Sequence, residues 1–410
     1  MLPLALTMST SMESFDADSF IALQTEEMRR VVGGERAIIA VSGGVDSTTC
    51  AALTRKAIGG NLVCVFIDTG FMRKGEPERV KRNLARPPLN LPLKIVRAQE
   101  SFMKRLEGLV DAEEKRKAFR ETFYSSLGEV AGREGCKWLV QGTIAPDLIE
   151  TKSGIKTQHN VLEQIGIDPR QRYGFKVIEP LASLYKPQVR ALSRRLGFAQ
   201  ETSERQPFPG PGLMVRCVGA VSRGKLSSLK IATAIVEKEL KDLGAQQYFA
   251  AIVDNNPREG SETDELASNL SRTLHIQDGL LKIHVLSSPA TGVSGGQRIY
   301  GKMAAMVLSS TLQDRAGEML EESVVVCRDF IGANPAYTRL LLEIWRLTKR
   351  KAYGAIVRAV ETSDFMTADV LRIPWKTLIG VSTRVLRDCL NVSSVYYDVT
   401  PKPPATIEFE

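Results

Sequence analysis

Ala37-Ile-Ile-Ala-Val41 runs directly into Ser42-Gly-Gly-Val-Asp-Ser-Thr48, and this junction decides the fold. An unbroken apolar run of this length reads as a strand buried on both faces. Ser42, Gly43 and Gly44 end it. The residues that follow Asp46, from Ser47 through Thr48, Thr49 and Cys50 to Leu53, read as a helix. A strand, a glycine turn and a helix start together make an anion site. Glycine permits positive φ and close backbone approach, and the unpaired N–H groups of a first helical turn, with the helix dipole, favour negative charge. Ser42 and Ser47 add hydroxyl donors. The Gly-Lys-Ser/Thr ending of a Walker loop is absent.

Working outward, further apolar strands are predicted at 62–67, 93–96, 137–140 and 176–178, with helices at 15–31, 113–134 (capped by Asp111) and 187–197 (stopped at Gly197). Alternating strands and helices imply a doubly wound parallel sheet. In such sheets ligands bind beyond the carboxyl ends of the strands. The turns 42–48, 68–75 and 141–147 all follow predicted strand ends, so Asp68, Gln141, Gly142 and Thr143 join Ser42, Gly43, Gly44, Val45, Asp46, Ser47 and Thr48 as candidate site residues. Gln206-Pro-Phe-Pro-Gly-Pro-Gly-Leu213 holds three prolines and two glycines, which excludes helix and central strand. The expected division is therefore 1–205, a linker at 206–213, and a second domain at 214–410. There we expect a smaller α+β unit with an antiparallel sheet. Its predicted elements are a helix at 225–243, strands at 280–286, 300–308, 355–360 and 394–399, a helical stretch at 310–348 and a helix near 376–389. Tyr300-Gly and Tyr353-Gly open two similar apolar runs, a hint of duplication.

Composition narrows the function classes. With 410 residues, 43% apolar and 25% charged, the chain is long enough for a real core and ordinary for a globular protein. The net charge of +8 suits anionic substrates or nucleic acid. None of the six cysteines forms a CxxC pair, so buried free thiols in a reducing compartment are expected. His159, His275 and His284 lack metal-ligand spacing. The apolar opening of the chain is too short for a membrane span, and a cytoplasmic location follows.

Ser42 to Ser47 resembles the pyrophosphate loop, Ser-Gly-Gly-x-Asp-Ser, of ATP-pyrophosphatases, whose fold is adenine nucleotide alpha hydrolase-like. Phe66-Ile-Asp-Thr-Gly-Phe-Met-Arg-Lys-Gly-Glu76, Gln141-Gly-Thr-Ile-Ala-Pro-Asp147, Pro207-Phe-Pro-Gly-Pro-Gly212, Arg358-Ala-Val-Glu-Thr-Ser-Asp-Phe-Met-Thr367 and Lys402-Pro-Pro-Ala-Thr-Ile-Glu-Phe-Glu410 resemble the GMP synthetase family, in that family's order. The resemblance covers nearly the whole synthetase portion. Too few residues precede the loop for the glutamine amidotransferase domain that many members carry, so a separate synthetase subunit is implied. The implied reaction has two steps: ATP adenylates xanthosine monophosphate (XMP) with release of pyrophosphate, and ammonia then displaces AMP to give GMP.

The resemblance further implies ATP and Mg2+ at the loop, with Asp46 the metal ligand and Asp68 near the nucleoside. It places Lys156 on a lid segment and makes Lys186 a second catalytic lysine. It puts Pro209, Gly210, Arg298, Arg358, Lys402, Thr406, Ile407 and Glu408 around XMP. It implies a homodimer built on the second domain and a separate glutamine amidotransferase partner, with no nucleic acid and no membrane. Departures from the family pattern are Gln206 for His, Gln158 for His, Gly296 for Asp, Pro401 for a small polar residue, Phe409 for Trp, and an insertion at 301–350. They bear on XMP contacts more than on ATP contacts. Two other classes fit the loop: a tRNA-modifying pyrophosphate-loop enzyme, which would use cysteines in pairs, and a non-catalytic nucleotide-binding relative.

Overall fold

The computed structural model describes residues 15–87, 89–152, 168–198, 208–363 and 366–410. In chain order the first half holds α1 (Ala17–Val32), β1 (Arg36–Ala40), α2 (Val45–Ile58), β2 (Leu62–Asp68), α3 (Glu76–Ala85), β3 (Leu93–Arg97), α4 (Gln99–Leu106), α5 (Ala112–Glu134), β4 (Cys136–Val140), α6 (Ala145–Lys152), α7 (Pro169–Tyr173), β5 (Lys176–Ile178) and α8 (Lys186–Arg195). Its five strands pair in parallel in the order β3-β2-β1-β4-β5. The order reverses between β1 and β4, so the two strands at the switch point are those that end in the glycine turn and in Gln141. Local chemistry sets the boundaries. Asp16 caps α1 by accepting from the Asp18 and Ser19 N–H groups, and Asp111 caps α5 by accepting from Glu114 N. Gly135, at φ +67°, ends α5.

The second half holds α9 (Arg223–Leu240), β6 (Gln247–Asp254), α10 (Ser261–Thr273), β7 (Leu281–Ser294), β8 (Gln297–Leu308), α11 (Ala316–Ala333), β9 (Tyr337–Arg346), β10 (Tyr353–Glu361), β11 (Asp369–Val370), α12 (Trp375–Asp388) and β12 (Val392–Asp398). Its seven-stranded sheet runs β11-β10-β12-β9-β8-β7, with β6 against β10. The sheet is mixed, which corrects the antiparallel expectation: β10 with β12 and β8 with β9 are parallel, and the other pairs are antiparallel. The stretch 310–348 is not one helix. It is α11 followed by β9, because Leu340, Leu341, Leu342 and Ile344 lie buried between two neighbouring strands. Leucine is a good helix former, and only the sheet overrides that preference. β6 and α10 were not expected from the pattern. The two Tyr-Gly runs are β8, with one parallel and one antiparallel neighbour, and β10, with one parallel and two antiparallel neighbours.

One apolar cluster spans both sheets. It joins Phe71, Phe102 and Phe119 of the first half to Leu226, Leu229 and Ile252 of the second. Segment 208–216, with a 3₁₀ turn at Gly212–Arg216, is wedged between them. Leu213 N donates to Phe71 O at 2.6 Å. A Cβ on Gly212, where φ is +62°, would stand 2.2 Å from that same oxygen. The close approach therefore requires glycine.

Candidate active site

The turn after β1 is built as the sequence suggests. Gly43 has φ +80°, and a Cβ there would meet Val80 Cγ2 at 2.5 Å. Gly44 stands at the N-cap of α2, and no side chain caps the helix. Ser42 Oγ and Ser47 Oγ lie 3.0 Å apart, and Ser47 Oγ accepts from Ser42 N at 3.2 Å. Val45 and Thr48 are buried. Asp46 lies in the first helical turn, two residues past the Gly44 N-cap. Lys186 Nζ, at the start of α8, reaches Asp46 Oδ2 at 2.5 Å. Asp46 Oδ1 is buried with no hydrogen-bond partner among the described residues.

A buried carboxylate oxygen without a partner is expensive. Beside a helix N-terminus shaped for phosphate it fits a Mg2+ ion, which typically takes one or two carboxylates and completes its shell with phosphate oxygens and water. Asp46 Oδ1 and the phosphate oxygens are the ligands this arrangement offers such an ion.

The ends of β2 and β4 flank the end of β1 on either side. A Cβ on Gly142 would meet Ser47 Cα at 3.1 Å and Asp46 C at 3.2 Å, so the segment after β4 lies against the turn. Gln141 Nε2 donates to Tyr124 OH at 2.7 Å, and Thr143 Oγ1 donates to Glu179 Oε1 at 2.6 Å. Asp68 accepts from Gly70 N at 3.0 Å and from Gln99 Nε2 at 2.6 Å. Lys230 of α9 is near enough to feel the Asp68 charge. Burial pushes its pKa down, against that attraction. Lys156, Gln158 and Gln206 lie outside the described residues.

The expected second-substrate residues fall on the tail and the sheet beneath it. Residues 401–410 cross the face of the large sheet formed by β7, β9, β10 and β12. Thr291 N donates to Phe409 O at 2.8 Å and Val293 N to Pro404 O at 2.7 Å. Phe409 is fully buried, and the Glu410 side chain is 3% exposed. Lys115 of α5, itself buried, pairs with Glu410 and donates to the carbonyls of Cys217 (3.0 Å) and Gly219 (2.7 Å). Burial raises the Glu410 pKa, and Lys115 opposes the rise.

Glu408 is held by Arg216, and Thr406 Oγ1 meets Thr291 Oγ1 at 2.5 Å. Ile407 is half-buried, as are Lys402 and Pro209, while Gly210 is exposed. Arg298 pairs with Glu113 of α5 at 3.0 Å. Gly295 and Gly296, both at positive φ, form the two-residue hairpin between β7 and β8. Glycine at 296 therefore suits the turn on backbone grounds alone.

Arg358 is turned inward. It is fully buried, donating to Asp398 Oδ2 at 2.7 Å and to the carbonyls of Thr400 and Thr406, both at 2.9 Å. Through Thr406 it touches the tail backbone. Arg339 shares the same Asp398 at 2.5 Å. Burial pushes the Asp398 pKa up, but the two guanidiniums outweigh it and hold the carboxyl below its ordinary value. Burial lowers Arg339 to about 10 against the pull of Asp398. Arg216, Arg339, Asp398, Glu179 and Lys115 were missed in the sequence. The available signal was a lone charge inside an apolar run, as in Leu213-Met-Val-Arg216 or Val395-Tyr-Tyr-Asp398.

All six cysteines are free and buried. Burial raises Cys64 and Cys327 to about 12 and Cys217 and Cys389 to about 11, and also pushes Cys50 and Cys136 up. None is an activated thiolate. No helix among the described residues is long and apolar enough to cross a membrane.

A doubly wound parallel sheet with a glycine turn, a helix N-terminus and a carboxylate at its switch point defines an α/β protein with a candidate anion site, here joined to a mixed-sheet unit with a docked tail. The family model described as GMP synthase C terminal domain matches residues 347–409. Over 399 residues the chain is 42% identical to a subunit of the glutamine-hydrolyzing GMP synthase of Sulfurisphaera tokodaii, covering 97% of this chain and 100% of that protein. Identity to the protein of the same name from Methanopyrus kandleri is 39% over 406 residues, with the same coverage. Among solved structures, an NH3-dependent NAD synthetase from Campylobacter jejuni aligns with 48% of this chain and 81% of its own, at 20% identity and a TM-score of 0.37. The chain belongs to this family of GMP synthase subunits.

Proposed function

We propose that this chain is the synthetase subunit that converts XMP to GMP, first adenylating XMP with ATP and then admitting ammonia to displace AMP. The observation that carries the reading is the pair Asp46 and Lys186, 2.5 Å apart at the uncapped start of α2. The name and full-length coverage of the relatives support the choice of substrates. The leaving group is pyrophosphate. The N–H groups at the start of α2 and the Ser42 and Ser47 hydroxyls hold its oxygens, and this preorganised field is where most of the rate enhancement arises. Asp46 Oδ1 and the phosphates would hold Mg2+, which when bound neutralises the charge that develops on the departing oxygens. Lys186 fixes Asp46 and adds positive charge beside the same oxygens. Asp68, Gln141, Gly142 and Thr143 line the place for the ATP nucleoside. Lys402, Thr406, Ile407 and Glu408 take XMP, with Pro209, Gly210 and Arg298 at the margin and Arg358 behind. Lys156 completes the lid.

Adenylation and amination are the work of a ligase that forms a C–N bond. With no activated thiol to hydrolyse glutamine, nitrogen comes from a separate glutamine amidotransferase subunit. A homodimer through the mixed-sheet half and a cytoplasmic location complete the reading, with no role for nucleic acid or a membrane.

The test is pyrophosphate release from ATP by the purified chain, measured against added XMP and ammonium. Release should depend on XMP, and GMP should form with ammonium and not with glutamine alone. The rate should rise toward pH 9 as free ammonia grows. Release indifferent to XMP, or turnover on glutamine equal to that on ammonium, would overturn the reading.

A further inference from the structure

Arg216 ties the tail to the nucleotide half. Its Nε and Nη2 donate to Glu408 Oε2 and Oε1 at 2.9 and 2.8 Å, a two-point fork that fixes the plane of the carboxylate. The Arg216 side chain is 2% exposed, yet Glu408 keeps 23%, so the carboxylate is held from the protein side and open on the other. The guanidinium lies 3.8 Å from the centre of the Phe249 ring on β6 and 5.4 Å from that of Phe208. Arg73, in the turn after β2, sits over Phe208 at 4.1 Å, and it is paired with Glu237 of α9 at 2.6 Å. Beyond Phe249, Phe409 packs edge-on at 6.3 Å, with Arg339 over it at 3.9 Å. A column of stacked cations and rings thus runs from the turn after β2 to the tail. Backbone bonds repeat the connection: Leu213 N donates to Phe71 O, and Glu410 N to Val215 O at 3.1 Å.

Stability alone does not account for an arginine here. A buried ion pair gains little over an apolar side chain of similar volume, and Arg216 Nη1 is buried without a partner among the described residues. A methionine would fill the slot between the two rings. What it could not do is orient Glu408.

We propose that Arg216 is a positioning residue. It holds the Glu408 carboxylate in one orientation as an acceptor for the ring N–H groups of the purine substrate, and through Phe208 and Arg73 it keeps that carboxylate in register with the turn after β2. The inference rests on the proposed function, because it assumes that the tail takes the purine nucleotide.

The experiment is steady-state pyrophosphate release by the full chain and by Arg216→Met, Arg216→Lys, Glu408→Gln and Arg216→Met/Glu408→Gln, with thermal unfolding of each. We expect Arg216→Met to raise the XMP KM by about tenfold, the loss of roughly one charge-assisted bond, with the ATP KM within about twofold. Arg216→Lys keeps the charge and the fold but lacks the fork, and should raise the XMP KM severalfold. Because Arg216 acts through Glu408, the double variant should be no worse than Glu408→Gln alone. Penalties that multiply in the double variant, or a wild-type XMP KM in both Arg216 variants, would overturn the inference. A wild-type chain that releases no pyrophosphate in response to XMP would instead overturn the functional reading, so the two failures are distinguishable.

Discussion

The turn after β1 and the tail face are both polar sites, but they are assembled in opposite ways. The turn draws its donors from a few consecutive residues, Ser42 to Ser47, and Lys186, Gly142 and Val80 arrive from elsewhere. The tail face needs Arg216, Thr291, Arg339, Arg358 and Asp398 from separate segments before Thr406 and Glu408 have anything to rest on. In the first site local backbone geometry makes the field. In the second, buried charges on the sheet organise a tail that has no regular secondary structure of its own. A substitution in the turn should therefore act on chemistry with little effect on folding, and one in the fully buried Arg339, Arg358 and Asp398 cluster beneath the tail should act on folding first.

The sharpest break of that comparison is Asp46→Ala. XMP-dependent pyrophosphate release should fall by roughly 100- to 1,000-fold, the usual cost of removing one preorganised electrostatic group, while the melting temperature stays close to wild type. A comparable loss of stability would show that the turn is structural after all. Next comes Arg358→Met. It leaves Asp398 buried with Arg339 as its remaining charge partner, and the loss should be about 3–5 kcal/mol in denaturant unfolding. Unchanged stability together with a weakened XMP affinity would mean that Arg358 meets the ligand directly. Smaller still is Lys402→Met, which should raise the XMP KM by about tenfold, as expected for one charge-assisted phosphate contact. The ATP KM should not move, and an equal rise in both would place Lys402 outside the XMP site. Point substitutions are the right instruments at the tail. Deleting 402–410 would remove buried Phe409 and the Lys115 partner Glu410, and so would confound binding with folding.

The strands around the turn were legible because each is a short apolar run punctuated by glycine or a polar turn, a pattern that survives without knowing its neighbours. β9 was not, since Leu340-Leu-Leu342 carries no alternation and favours helix until flanking strands bury it on both sides. β6 was missed for a similar reason: Phe249-Ala-Ala-Ile-Val253 has mixed propensity and gains its place from β10. In the site, Asp46 and Glu408 were readable from motif and resemblance. Arg358 was readable as a residue but not as a buried one, because exposure is a property of packing.

By itself the chain determined the phosphate-holding turn, since glycine dihedrals and a helix N-terminus are local and follow from a few adjacent residues. It also determined that a parallel sheet carries the turn, because a strand buried on both faces needs covering helices. Only the tertiary structure decided that Lys186 would meet Asp46 across 140 positions, that Arg216 would grip Glu408 across 192, and that Arg339 and Arg358 would share a single aspartate. Long-range ion pairs leave no periodic trace. Each partner needs only to be a charge at the right place in space, and that place is set by how the strands and helices pack.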